Sequence, residues 1–399
     1  MVTEHELEVP LDHADQDGES ITVFAREVSA DDERGRPYLV FFQGGPGSEA
    51  PRPLTTASPG WLERALVDYR VLLLDQRGTG RSTPVGTLPG MTAEEQAAYL
   101  SHHRADAIVR DAEAFREHLG VDRWSVLGQS FGGFCVTTYL SLAPHGLREA
   151  LISAGLPPLR RPPDDVYRTT YDILRGRIES FYARYPGDRD RARRLFDAVA
   201  SGDVRLRCGD RLTVNRLRHL GNVLGMSDGA ERLHYVLERP LGSPGLLHDA
   251  DDPMRVIRNP LYAVVHEACY ADGSRTGWAA ERTMPDDFRE DPTLLAGEML
   301  YPWVFEEYGA LAPLREAAEF LARRQWPPLY DPDVLAQNDV PAAAAIWVRD
   351  MYVPRVFSEE TAVRIRGLRP WISDEYEHDG LRADSRVVGR LIDLVKGRV

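Results

Sequence analysis

The run Gly128-Gln129-Ser130-Phe131-Gly132-Gly133 stands between a strand-like stretch, Trp124-Ser125-Val126-Leu127, and a helix-like stretch over residues 131–143. A strand that turns at once into a helix leaves no room for side chains around the turn, and the glycines of a G-x-S-x-G pattern meet that demand. The turn lifts the serine hydroxyl out at the top of a sheet, at the N-terminus of the following helix. It therefore needs a buried, mostly parallel sheet beneath it and helices on the faces of that sheet.

The flanking sequence follows the same pattern. Residues 20–28 alternate apolar and polar, with Ile21, Val23 and Ala25 on one face, as in an early half-exposed strand. Tyr38-Leu39-Val40-Phe41-Phe42 and Arg70-Val71-Leu72-Leu73-Leu74 are continuous apolar runs ending in Gly-rich turns, the signature of buried central strands. Residues 93–119 read as one helix, with Ala97, Leu100, Ile108, Ala112, Phe115 and Leu119 as its apolar points, and Leu151-Ile152-Ser153-Ala154 reads as a further strand. Pro157, Pro158, Pro162 and Pro163 then mark a break, and helix-like sequence with charged faces follows. Alternation resumes with a strand over 342–348, a helix over 359–366, a strand over 368–373 and a helix over 381–396. The fold class is thus α/β: residues 1–156 form the first part of a core, 157–338 an inserted helical cap domain, and 339–399 the C-terminal part of the core. Ligands of open α/β sheets bind at the carboxyl ends of the strands, and an insert leaving from those ends roofs the site.

Composition excludes several classes. A formal net charge of −14 over 399 residues argues against a nucleic-acid partner, whose phosphates require a basic surface. No apolar stretch approaches the ~20 residues of a membrane span. Cys135, Cys208 and Cys269 are too few and too scattered for a disulfide framework, and none forms a C-x-x-C metal pair. The start, Met1-Val2-Thr3-Glu4-His5-Glu6, is acidic and lacks the apolar core of a secretory leader, which makes the cytoplasm the expected compartment. Neither a metal nor an organic cofactor is expected.

A serine hydroxyl is a poor nucleophile until a positioned base takes its proton. On sheets that present a serine in this way, the acid and then the histidine follow it along the chain. Among the histidines after Ser130, only His378 lies beyond the resumed sheet, in the loop Ser373-Asp374-Glu375-Tyr376-Glu377-His378-Asp379-Gly380. Asp350, just after Ile346-Trp347-Val348-Arg349, sits at the carboxyl end of the preceding strand; Asp339 lies at the wrong end, and Asp374 and Asp379 are too close to His378 to come from a separate strand. Asp350 would fix the imidazole tautomer and stabilise the imidazolium.

Acyl transfer also needs backbone N–H donors for an oxyanion. One is expected from Phe131, the residue after the nucleophile. The other is expected from Gly45 in the turn Gln43-Gly44-Gly45-Pro46-Gly47. That turn lacks the lysine and the G-K-[S/T] of a phosphate loop. A second Gly-rich turn, Asp75-Gln76-Arg77-Gly78-Thr79-Gly80-Arg81-Ser82, is read as scaffold, its arginines pinning neighbouring loops.

Taken together, Q-G-G-P-G at 43–47, D-Q-R-G-T-G-R-S at 75–82, G-Q-S-F-G-G at 128–133, D-M-Y-V at 350–353 and E-Y-E-H-D-G at 375–380 resemble the prolyl aminopeptidases (proline iminopeptidases), serine peptidases of the α/β-hydrolase fold, and in particular their longer bacterial group. Gln43 departs from the histidine many relatives carry there, a change without consequence for donors that are backbone groups. The resemblance implies Ser130 as nucleophile, Asp350 as acid and His378 as base. It also implies release of an N-terminal proline from small peptides, with cap glutamates holding the charged imino group. Glu267, in His266-Glu267-Ala268-Cys269-Tyr270, and Glu281, in Trp278-Ala279-Ala280-Glu281-Arg282, are the candidates for that role. Tyr301, Trp303 and Tyr352 are aromatic candidates for a pyrrolidine pocket. Two other readings share the same fold: a capped esterase or amidase acting on a neutral acyl compound, and a non-catalytic ligand-binding protein.

Overall fold

The computed structural model describes residues 1–30 and 35–399. Among the described residues eight strands, β1 (Val2–Pro10), β2 (Ser20–Val28), β3 (Tyr38–Phe42), β4 (Arg70–Leu74), β5 (Trp124–Gln129), β6 (Leu147–Ser153), β7 (Ala342–Trp347) and β8 (Leu368–Ser373), form one sheet in the order β1-β2-β4-β3-β5-β6-β7-β8. β1 and β2 pair antiparallel with each other, and β2 antiparallel with β4; every other pairing is parallel. The period-2 pleat sends β3 side chains to two cores. Val40 and Phe42 pack with the helices Ala105–His118 and Phe131–Leu142, whereas Leu39 and Phe41 pack with Trp61 and with Leu391 and Ile392 of the C-terminal helix.

Several elements differ from the sequence reading: the helix expected over 359–366 is Arg355–Ala362, and that expected over 381–396 is two, Gly380–Ala383 and Arg386–Val395. β1 has no apolar alternation because it is an edge strand exposed on both faces over most of its length. The backbone ladder to β2 pairs it along its whole length, and exposed charges accompany it: Glu4 pairs with Arg26 at 3.0 Å and with Arg81 at 2.7 Å, and Glu6 with Arg81 at 2.6 Å. Charged edges of this kind also discourage pairing with other chains. The single helix expected over 93–119 is two, Ala93–Leu100 and Ala105–His118. At the break the His103 Nδ1 and the Tyr99 carbonyl lie 3.1 Å apart, and the buried Arg104 turns away to donate to the Ala271 carbonyl at 3.0 Å beneath Trp326. Those contacts tie this helix start to the helical stretch between β6 and β7.

Between Ser153 and Ala342 the named elements are all helical, from Pro163–Arg184 to Pro332–Ala336. Bonds between arginines and buried carboxylates also set the scaffold around the strand ends. The Arg77 guanidinium binds Asp111 at 2.6 and 2.7 Å and donates to the carbonyls of Leu11, His102 and Pro10. Asp75 binds Arg52 at 2.6 and 2.7 Å and accepts the N–H groups of Ala50 and Arg81. The Gln76 amide donates to the Gln43 carbonyl at 3.0 Å, so the second Gly-rich turn braces the first.

Candidate active site

Ser130 lies between β5 and the helix Phe131–Leu142 with φ 56° and ψ −127°, a positive-φ conformation that side-chain-bearing residues rarely adopt. The strain persists because the surroundings leave no alternative. A Cβ on Gly132 would fall on the Phe42 carbonyl, and one on Gly128 on the Gly132 carbonyl, so helix and strand approach more closely than any other residue permits. The Ser130 N–H donates to the Ser153 carbonyl at 3.0 Å, fixing the turn to β6. The Ser130 hydroxyl itself makes no hydrogen bond among the described residues.

Asp350 follows β7 and His378 follows β8. His378 Nδ1 and Asp350 Oδ2 lie 2.7 Å apart with both side chains buried. The other carboxylate oxygen, Oδ1, accepts the N–H groups of Tyr352 at 2.9 Å and Val353 at 3.0 Å, which leaves the acid little freedom to turn. The histidine is held from three sides: its N–H donates to the Gly225 carbonyl at 3.1 Å, the Tyr352 ring meets its ring edge-on at 4.6 Å, and the neighbouring Asp379 accepts the Ser227 N–H and hydroxyl. Burial alone would lower the imidazole pKa. The Asp350 charge and hydrogen bond, helped by Glu298 and Asp379, outweigh it and raise the value above the ordinary 6.5.

His378 lines a cavity of about 540 Å³ together with Gln43, Gly45 and Gln129, the residue before the serine. Gly44 brings the first loop against the serine: a Cβ there would lie 3.1 Å from the Ser130 Cβ. Gly45 has φ +130°, and neither its N–H nor that of Phe131 has an acceptor among the described residues. Asn222, Met254, Tyr262 and Glu298, from the helical stretch between β6 and β7, also line the cavity.

The cap glutamates separate in space. Glu267 is buried but does not line this cavity; its carboxylate accepts the N–H groups of Ala280 at 2.9 Å and Ala279 at 3.2 Å, capping the short helix Ala279–Arg282. Burial pushes its pKa up to about 7 against the pull of those two donors. Glu281 is half-buried, does not line this cavity and pairs with Arg289 at 3.2 Å. Glu298, which the sequence reading passed over, is the glutamate in the cavity. It accepts the Tyr262 hydroxyl at 2.9 Å and lies 3.8 Å from His266 Nε2. Burial would raise its pKa; the His266 contact, the charges of His266 and His378 and the Tyr262 hydroxyl together hold it below the ordinary 4.5. A signal was present: Glu298 is the lone charge in Leu294-Leu295-Ala296-Gly297-Glu298-Met299-Leu300-Tyr301, and a carboxylate enters an apolar run only with partners to hold it. Of the aromatic candidates, Tyr352 packs on His378, whereas Tyr301 and Trp303 stack on each other at 5.3 Å and do not line the cavity.

The strained serine turn at the end of a strand in a mostly parallel sheet flanked by helices defines a serine hydrolase of the alpha/beta hydrolase fold. That fold family matches residues 37–253. The esterase E22 structure aligns over 98% of this chain and 100% of its own with a TM-score of 0.51 at 11% identity, a likeness of fold alone. A proline iminopeptidase of Aeromonas sobria is 45% identical over 98% of this chain and 95% of its own length. The proline iminopeptidase aneH of Aspergillus aculeatus is 33% identical over 100% of this chain and 94% of its own. The chain belongs to the proline iminopeptidase family.

Proposed function

We propose that the protein releases an N-terminal proline from peptides by acyl transfer, with Ser130 as nucleophile, His378 as general base and acid, and Asp350 as the residue that orients the imidazole. With Nδ1 engaged by Asp350, Nε2 is the nitrogen left to take the serine proton. Ser130 Oγ attacks the prolyl carbonyl carbon while His378 accepts the hydroxyl proton. The N–H groups of Gly45 and Phe131 donate to the resulting oxyanion. The C–N bond then breaks, His378 returns the proton to the departing amine, and a prolyl ester remains on Ser130. Water gives a proton to His378 and attacks that ester, and proline leaves as the serine regains its proton. The serine hydroxyl, unpaired among the described residues of the free enzyme, engages His378 as substrate enters, as catalytic contacts that are long or misaligned in free enzymes commonly do.

The observation that carries the choice of substrate is Glu298 in the same cavity as His378. A secondary ammonium entering this cavity loses water, and a carboxylate within hydrogen-bond reach offsets that cost. A neutral acyl group has no use for it. Glu298 therefore takes the role of imino partner, and Glu267 the role of a local helix cap. Comparing chromogenic prolyl amides with uncharged acyl esters tests the reading: a clear kcat/KM advantage for the prolyl amide is expected, and a preference for the uncharged ester would defeat it.

A further inference from the structure

The catalytic cavity continues beyond His378 and Glu298. A second cavity of about 500 Å³ shares Val223, Arg232, Pro253 and Arg255 with the first and runs on past Arg239 and Asp252. Each is of a size that holds a small organic ligand. The junction between them carries positive charge in a chain whose formal net charge is −14.

Every carboxylate facing this junction is already committed. Asp252 accepts the N–H groups of Val256, Ile257 and Arg258 at 2.7, 2.9 and 3.3 Å. Asp249 pairs with Arg239, and Asp379 holds Ser227 and Arg382. Arg232 has only Asp228, 3.8 Å away, and both of those side chains are more than half exposed, at 56% and 55%. Arg255 has no ion pair among the described residues. It is also held in a left-handed turn, φ +56°, by the Asp252 bonds that follow it, so its guanidinium starts from a fixed backbone position. The charge pattern is then polar along the cavity: a carboxylate, Glu298, beside the catalytic imidazole, and two guanidiniums, Arg232 with one long exposed pair and Arg255 with none among the described residues, where the first cavity opens into the second.

We propose that Arg232 and Arg255 form a subsite for the C-terminal carboxylate of a short substrate peptide. This rests on the N-terminal proline reading above and adds a substrate class to it: short free peptides, recognised as zwitterions, with the imino cation at Glu298 and the carboxylate at the arginine junction. A planar guanidinium binds a carboxylate through paired N–H donors, and two of them at one junction suit that group better than a neutral amide.

The test uses prolyl di-, tri- and tetrapeptides, each as the free acid and as the C-terminal amide. At the length that reaches the junction, the wild-type kcat/KM for the acid should exceed that for the amide by about threefold to tenfold at low salt. An Arg232→Gln/Arg255→Gln double variant should bring that ratio to about one. High salt should do the same for the wild-type enzyme, because the junction is exposed and therefore screened, and this arm stands whatever the variant's stability. A ratio at or below one at every length, or a ratio that survives the double substitution or high salt, overturns the proposal. Failure of the underlying proline reading would look different: no proline would be released from either the acids or the amides.

Discussion

Replacing Glu298 with Gln removes one charge from the catalytic cavity and almost nothing else. The amide oxygen can still accept the Tyr262 hydroxyl that lies 2.9 Å from the carboxylate, and the side-chain volume is conserved. Lost is the charge-assisted bond to a protonated imino group, in a position where the side chain is only 20% exposed. Hydrogen bonds to charged groups contribute about 1.5–3 kcal/mol net. With tenfold for each 1.4 kcal/mol, Glu298→Gln should lower kcat/KM for a prolyl amide by about 10- to 100-fold. The assay is initial-rate kinetics on a prolyl chromogenic amide, with an uncharged acyl ester measured alongside. Loss on the ester should be small, because no cation is present to miss its partner. The same substitution should move the acid limb of the rate profile downward, since Glu298 helps raise the His378 pKa. Prolyl turnover within a factor of about two of wild type, or an equal loss on both substrates, would refute the assignment of Glu298.

Other outcomes follow from the same geometry. His378 must be neutral to act as base, and its pKa is raised, so kcat/KM for the prolyl amide should fall as pH drops through a value above 6.5; a rate that stays flat well below that value would contradict the base assignment. Gly132→Ala drives a methyl group into the Phe42 carbonyl, which as backbone cannot yield, so it should destabilise by at least the ~1–3 kcal/mol typical of overpacking and lower the melting temperature; an unchanged melting curve would mean that the turn is looser than described. Glu267→Gln keeps one acceptor for the two N–H groups of Ala279 and Ala280, and its effect should appear in thermal stability rather than in KM for prolyl substrates; a KM effect as large as that of Glu298→Gln would return Glu267 to the imino site.

What was legible in the sequence was whatever had a strong local cause. The central strands β3, β4 and β5 are buried on both faces, so their apolar runs stand out, and the glycines around Ser130 are forced by backbone contacts that any sequence with this turn must respect. Asp350 and His378 could be singled out because chain order places them at the ends of successive strands, and they lie in hydrogen-bond contact. β1 was not legible, because an edge strand paired through its backbone and exposed along most of its length has no apolar period to read. The break at Ser101–Arg104 was hidden because the apolar spacing continues across it, and only the tertiary bonds of Arg104 reveal it. The cap glutamates were the hardest. Glu267 and Glu298 are both largely buried, and what separates them is which cavity each one faces, a property of the folded insert rather than of its neighbours along the chain.

The central claim is that Ser130 is the nucleophile and that His378 activates it. Reaction of the intact enzyme with a fluorophosphonate, followed by peptide mapping, reads this directly, because the serine oxygen that attacks phosphorus, with fluoride leaving, keeps the label. Stoichiometric labelling of the peptide that carries Ser130, slowed by a prolyl substrate and strongly slowed in a His378→Ala variant, is the predicted result. A label on any other residue, or no label while prolyl turnover is lost on treatment, would contradict the account.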